Sequence, residues 1–207
     1  MVVYQLIQAV EQASEPAQLV AAVKALVAAK DKEAISTLIA VLGYNNPSAA
    51  IVAIAGLIEL GTDSVQPLME QLDEYNYGAR AYSIRALAAI GDPRALELFL
   101  ESAATDFAPS VRRSAAKGLG TLHWQQLNPE QVYPAWQKAM QTLLSISSDA
   151  DWSIRYAAVV GLQALASIPD LAEQINSHYD LQIQTDSDAG VRSRINWAQQ
   201  VLSQVEK

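Results

Sequence analysis

The sequence predicts an all-α solenoid of about six antiparallel helix pairs, wound as a right-handed superhelix in a single repeat domain over residues 1–207. Three observations predict it. One helical phrase recurs every thirty to forty-odd residues. Apolar residues follow a helical period, with no strand alternation. Gly43, Gly61 and Gly91, with Pro47, Pro67, Pro93 and Pro109, fall between the apolar runs.

The phrase opens on Asn, Asp or Ser, reaches Arg at the first turn, and closes an alanine-rich run with a small residue before Leu or with Ala. Its copies run Asn76 to Arg80 and Ala86-Leu87, Ser110 to Arg112 and Gly118-Leu119, Asp151 to Arg155 and Gly161-Leu162, and Asp188 to Arg192 and Ala198. Asn or Asp at the first position accepts hydrogen bonds from the free N–H groups of the first turn. Small residues such as Ala86, Gly118 and Gly161 let a neighbouring helix approach closely. The anchors Leu87, Leu119 and Leu162 lie 32 and 43 residues apart, and Arg155 and Arg192 lie 37 apart.

The elements follow in order. Pro16, Leu19 and Ala25-Leu26 keep only the apolar skeleton of the phrase. Asn46 to Gly56-Leu57 keeps the cap and anchor but has Ala50 where Arg is expected. Gly43, Gly61 and Gly91 are placed as helix ends. Pro47, Pro67, Pro93 and Pro109 sit at or near helix starts, where a missing N–H costs little. Ile84, Leu87 and Ile90, then Ile154, Ala158, Leu162 and Leu165, mark core faces. Between Leu122 and Pro134 the array is interrupted, and this insertion is expected to form a loop on one face. Trp136, Trp152 and Trp197 are expected to pack between helices. The last helix, from Val191 to Val205, is polar in its second half and suits a terminal cap.

Composition narrows the function. A net charge of −8 argues against binding a phosphate backbone or an acidic membrane surface. No cysteine means no disulfide, no thiolate nucleophile and no thiolate metal site. No apolar run is read as approaching a membrane span of roughly 18 residues, and the start has no basic stretch typical of a signal peptide. A cytoplasmic protein with no nucleic-acid or membrane partner is the expectation. Two histidines without paired spacing make a metal site unexpected, and no phosphate loop, nucleophile elbow or spaced carboxylate pair occurs.

The most unusual segment runs from Asp73 to Arg85 and packs three tyrosines and two arginines into thirteen residues. Tyr75, Tyr77 and Tyr82 offer flat apolar faces with hydroxyl tips, and Arg80 offers a fork suited to a carboxylate. Such a surface suits a flat conjugated ligand bearing acid groups. The competing reading makes Arg80, Arg112, Arg155 and Arg192 a ladder to acidic residues of adjacent repeats, and it is preferred for Arg155 and Arg192. His123, beside Trp124 at the start of the insertion, is a proton carrier or a packing residue. His178 lies in a polar stretch and is read as structural.

Taken together, the stretch from Tyr75-Asn76-Tyr77-Gly78-Ala79-Arg80 through Pro93-Arg94-Ala95-Leu96, followed by Thr105-Asp106-Phe107-Ala108-Pro109-Ser110-Val111-Arg112 and Lys117-Gly118-Leu119-Gly120, closely resembles the smaller (F-type) subunit of the E/F-type phycobilin lyases. These are HEAT-like repeat proteins, and the resemblance spans nearly the whole chain. It implies a heterodimer with an E-type subunit that attaches phycocyanobilin, the substrate rather than a cofactor, to a cysteine of a phycocyanin α subunit, and that can also detach it. Tyr75, Tyr77, Arg80, Tyr82, Arg112 and Trp124 would hold the bilin. His123 or Asp106 would manage a proton, although Asp106 equally suits a cap on the following helix. Isomerising relatives place Cys directly after the histidine matching His123. Trp124 stands there in this chain, which implies a lyase without isomerase activity. The alternative is a non-catalytic repeat adaptor or chaperone that binds phycobiliproteins.

Overall fold

The computed structural model describes residues 2–72 and 75–205. Twelve α-helices and four short 3₁₀ turns make up the described residues, and no strand occurs among them. The chain divides into two compact units, Met1–Ala95 and Leu96–Lys207.

The first unit holds α1 (Val2–Glu11), α2 (Pro16–Ala28), α3 (Ile35–Leu42), α4 (Pro47–Leu60), α5 (Val65–Glu70) and α6 (Tyr77–Ile90). They pair as α1 with α2, α3 with α4 and α5 with α6, while α2, α4 and α6 stack side by side. The second unit holds α7 (Leu96–Thr105), α8 (Pro109–Leu119), α9 (Pro129–Ile146), α10 (Trp152–Leu165), α11 (Pro169–Thr185) and α12 (Ala189–Val205). Here α7 pairs with α8, α9 with α10 and α11 with α12, and the second helices α8, α10 and α12 form one row. Six helix pairs result, as the repeat spacing predicts.

The anchors behave as cores require. Leu26, Leu57, Leu87, Leu119 and Leu162 are all fully buried. The caps form where expected. Asn46 Oδ1 accepts from the Ala49 N–H and Asn76 Oδ1 from the Ala79 N–H, each at 3.0 Å. The same two side chains reach back one repeat, their amides donating to the carbonyls of Pro16 and Gly43. Each cap thus also ties its helix to the preceding pair.

Close approach is greatest in the second unit. A Cβ at Gly161 would lie 2.5 Å from the Ala116 carbonyl oxygen and 2.9 Å from both terminal carbons of Leu143. Only a residue without a Cβ lets α10 seat against α8 and α9 at that point.

Two expectations are corrected. The stretch Pro47–Glu70 does reach the length and mean hydropathy (1.5) of a membrane span. It is not continuous α-helix, however: α4 stops at Leu60, Gly61 takes φ 62°, and a 3₁₀ turn leads into α5. Ala49, Ala50, Ala53, Ile54 and Leu57 bury one side of α4 within the helix stack. The apolar content therefore serves a core. The stretch from Leu122 to Pro134 is not a plain loop either. Leu122 is buried, Trp124–Gln126 form a 3₁₀ turn, and α9 already starts at Pro129. Pro134 lies inside α9, in its second turn, where its missing N–H leaves one helical hydrogen bond unmade.

Candidate functional site

The predicted site residues fall in different places. In the first unit, Tyr75 is 94% exposed and Tyr77 more than half exposed at the start of α6, with Tyr82 half-buried. Asp73 and Glu74, which open that segment, lie outside the described residues. Arg80 is only 8% exposed and shares the packed side of α6 with Ser83, Ile84 and Leu87. It does not stand on the open surface that Tyr75 and Tyr77 present. The reason is periodicity: position four after the cap falls on the side of α6 that carries the anchor leucine.

In the second unit, Asp106 Oδ1 accepts from the Ala108 N–H at 2.8 Å, closing the turn that leads into α8. His123 is exposed, and Trp124 half-buried, just beyond the other end of α8. Eleven residues of helix span about 16 Å. Asp106 and His123 therefore flank opposite ends of α8, and a single proton transfer can engage only one of them.

Arg112, Arg155 and Arg192 form the ladder. Arg112 donates through Nε to the Ala103 carbonyl (3.0 Å) and pairs through Nη2 with Asp149 of the next repeat (2.7 Å). Arg155 donates from Nη1 to the carbonyls of Asp149 and Ala150 and binds Asp186 of the following repeat with two bonds of 2.8 Å. Arg192 donates to the Asp186 carbonyl at 2.7 Å. Each guanidinium fastens the end of its own first helix, and Arg112 and Arg155 also grip the turn of the next pair. Arg112, expected from the resemblance to hold ligand, occupies a ladder position.

Beside the ladder lies a cleft of about 290 Å³, lined by Ser147, Arg155, His178, Gln182 and Asp186 among others. His178 Nε2 sits 2.9 Å from Ser147 Oγ, and burial lowers its pKa from the usual imidazole value. Hydrogen bonds from Arg155, more than any other cause, hold the Asp186 carboxyl below the ordinary carboxylate range.

A second recess, of about 560 Å³, opens between α10 and α12 and is lined by Tyr156, Gly190, Ser193, Arg194 and Trp197. Sequence reasoning missed it. Trp152 and Trp197, expected to pack between helices, are each more than half exposed, because they sit on the sides of α10 and α12 away from the core. Trp136 is half-buried, with a buried indole nitrogen. The one available signal was the spacing of Gly190, Arg194 and Trp197, which puts all three on one helix face.

Fold and ladder together define a HEAT-type repeat protein. A HEAT-repeat family model matches residues 42–120 and 65–135, and a PBS lyase HEAT-like repeat model matches residues 19–44. Phycocyanobilin lyase subunit beta of Nostoc sp. is 56% identical over 195 residues, covering 94% of this chain and 98% of that protein. Phycocyanin alpha phycocyanobilin lyase CpcF of Synechocystis sp. is 47% identical over 194 residues, covering 93% and 90%. The solved complex of CpcE and CpcF of phycocyanin lyase from Nostoc sp. includes a chain that aligns with a TM-score of 0.80 at 58% identity, over 82% of this chain and 99% of that one. This chain belongs to the phycocyanobilin lyase subunit beta family.

Proposed function

We propose that this chain is the smaller subunit of a heterodimeric bilin lyase, paired with an E-type subunit, that attaches phycocyanobilin through a thioether bond to a cysteine of the phycocyanin α subunit and can also detach it. The observation that carries this reading is 56% identity across almost the whole of the Nostoc sp. lyase subunit. With no cysteine of its own, the chain leaves the nucleophile to the acceptor. The acceptor sulfur adds to the ethylidene carbon of the bilin and a proton is delivered to the adjoining ring. What the lyase contributes is a held ligand geometry and management of that proton. Isomerisation is not part of the reading, since Trp124 follows His123. The substrate is phycocyanobilin, no cofactor is required, and the complex works in the cytoplasm where phycobilisomes are built.

Tyr75 and Tyr77 remain candidate contacts on the first unit, and His123 the more accessible of the two proton carriers. Coexpression with an E-type subunit, a phycocyanin α subunit and a bilin source is expected to give zinc-stained, covalently pigmented α subunit on a denaturing gel, at least tenfold above the reaction without this chain. Pigment at the spontaneous background would leave an adaptor or chaperone in its place.

A further inference from the structure

Among the described residues, Arg194 is the buried cation of the second unit. The ladder arginines 112 and 155 each meet a carboxylate. Arg194 is only 8% exposed yet, among the described residues, meets no carboxylate; Nη2 donates to Gln163 Oε1 (2.5 Å), and Nη1 is buried with no hydrogen-bond partner among them. Its charge rests on aromatic faces, 4.5 Å from the Trp197 ring centroid and 6.0 Å from that of Tyr156. A guanidinium in a dry setting is costly unless an anion and further hydrogen bonds satisfy it. Burial accordingly lowers its pKa from the ordinary guanidinium value, with Tyr179 and Tyr156 opposing the shift.

The surroundings indicate which anion. Trp197, 54% exposed, lies over the guanidinium and shows its other face to solvent. Tyr156 of α10 adds a second aromatic ring to the recess. Gly190 and Ser193 keep the floor low, and the recess volume suits a cofactor-sized ligand. A small inorganic anion would leave the aromatic walls unused, whereas a flat conjugated molecule carrying a carboxylate uses both.

We propose that the recess between α10 and α12, built from Tyr156, Arg194 and Trp197, binds a flat conjugated carboxylate, and that on the lyase reading above this is a propionate-bearing end of the bilin. Trp197 stacks on the ring plane and swings aside enough for the carboxylate to reach Nη1 of Arg194. This places bilin contact on the row of second helices in the second unit.

The test measures non-covalent binding of phycocyanobilin and of its dimethyl ester to the purified heterodimer, followed by the change in bilin absorbance. Wild type is expected to bind the free acid about 10- to 100-fold more tightly than the ester, the range of one charge-assisted contact. Arg194→Met is expected to erase that difference, lowering acid affinity to the ester level. The apolar replacement removes a buried charge, so folding is expected to hold. Trp197→Ala, at a half-exposed position, is expected to weaken both ligands alike. If wild type binds acid and ester equally, or if Arg194→Met and Trp197→Ala both bind the acid as wild type does, this site is wrong while the lyase reading stands. A heterodimer that binds neither ligand overturns both.

Discussion

Arg155→Met is expected to destabilise the fold by about 1–3 kcal/mol, the cost of leaving a part-buried charged acceptor without its main donor. The Asp186 side chain is 2% exposed and would lose both 2.8 Å bonds from Arg155. Gln182 at 3.3 Å and the Asp188 N–H at 2.9 Å would remain to it. Two carbonyls, of Asp149 and Ala150, would lose their donor as well. Adding Asp186→Asn to Arg155→Met is expected to recover part of the loss, because the stranded charge goes. The pair also sets an acid response. Because the folded-state pKa of Asp186 is depressed, its contribution is fully present above the unfolded carboxylate value of about 3.9 and is lost as pH falls through the folded value. Denaturation midpoints taken from pH 7 down to pH 3 should therefore fall more steeply for wild type than for Arg155→Met. Parallel curves, or a loss under about 1 kcal/mol at pH 7, would show the pair to be dispensable, as exposed pairs usually are.

Gly161→Val is the second large effect, with an expected loss of about 3 kcal/mol or more, and Gly161→Ala is expected to lose about 1–3 kcal/mol. In an exposed helix the alanine change would gain nearly 1 kcal/mol of propensity. Here the added Cβ meets a backbone oxygen at 2.5 Å, and backbone cannot rotate out of the way as a side chain can. Gly120 doubles the constraint, since a Cβ there would lie 2.8 Å from the Gly161 carbonyl oxygen. The clash outweighs the propensity gain. Urea unfolding of the two variants decides the matter, and a Gly161→Ala protein more stable than wild type would refute the close approach.

Much of the fold was legible because the sequence repeats its own constraints. A leucine every thirty to forty-odd residues, an Asn or Asp cap before most of them, and Gly or Pro at most breaks are local signals that resolved as expected, whereas α8 starts at Pro109 without a side-chain cap and takes Ser110 inside it. The ladder was half legible. The arginines recur in phase, but their acidic partners sit in turns whose spacing varies, so only the folded chain shows that Asp149 and Asp186 receive them. The candidate site was the least legible part. The residues that mark the core face of α6 also place Arg80 on it, a consequence that the run of tyrosines along the chain obscures. Arg80, clustered with tyrosines along the chain, is buried away from the surface Tyr75 presents. Tyr156 and Arg194 are remote in sequence and adjacent in space, and no local pattern announces such a pair.

The ladder gives the chain a temporal order as well as a spatial one. Arg155 receives its carboxylate from a residue 31 positions later, and Arg112 from one in the following repeat. At a synthesis rate of roughly 5–20 residues per second, Arg155 waits about two to six seconds for Asp186 to be made. During that interval the pair of α9 and α10 holds a cation whose counterion has not yet been translated. In this row a helix pair is thus completed by its successor, and a chain cut short before Asp186 would leave Arg155 without its carboxylate.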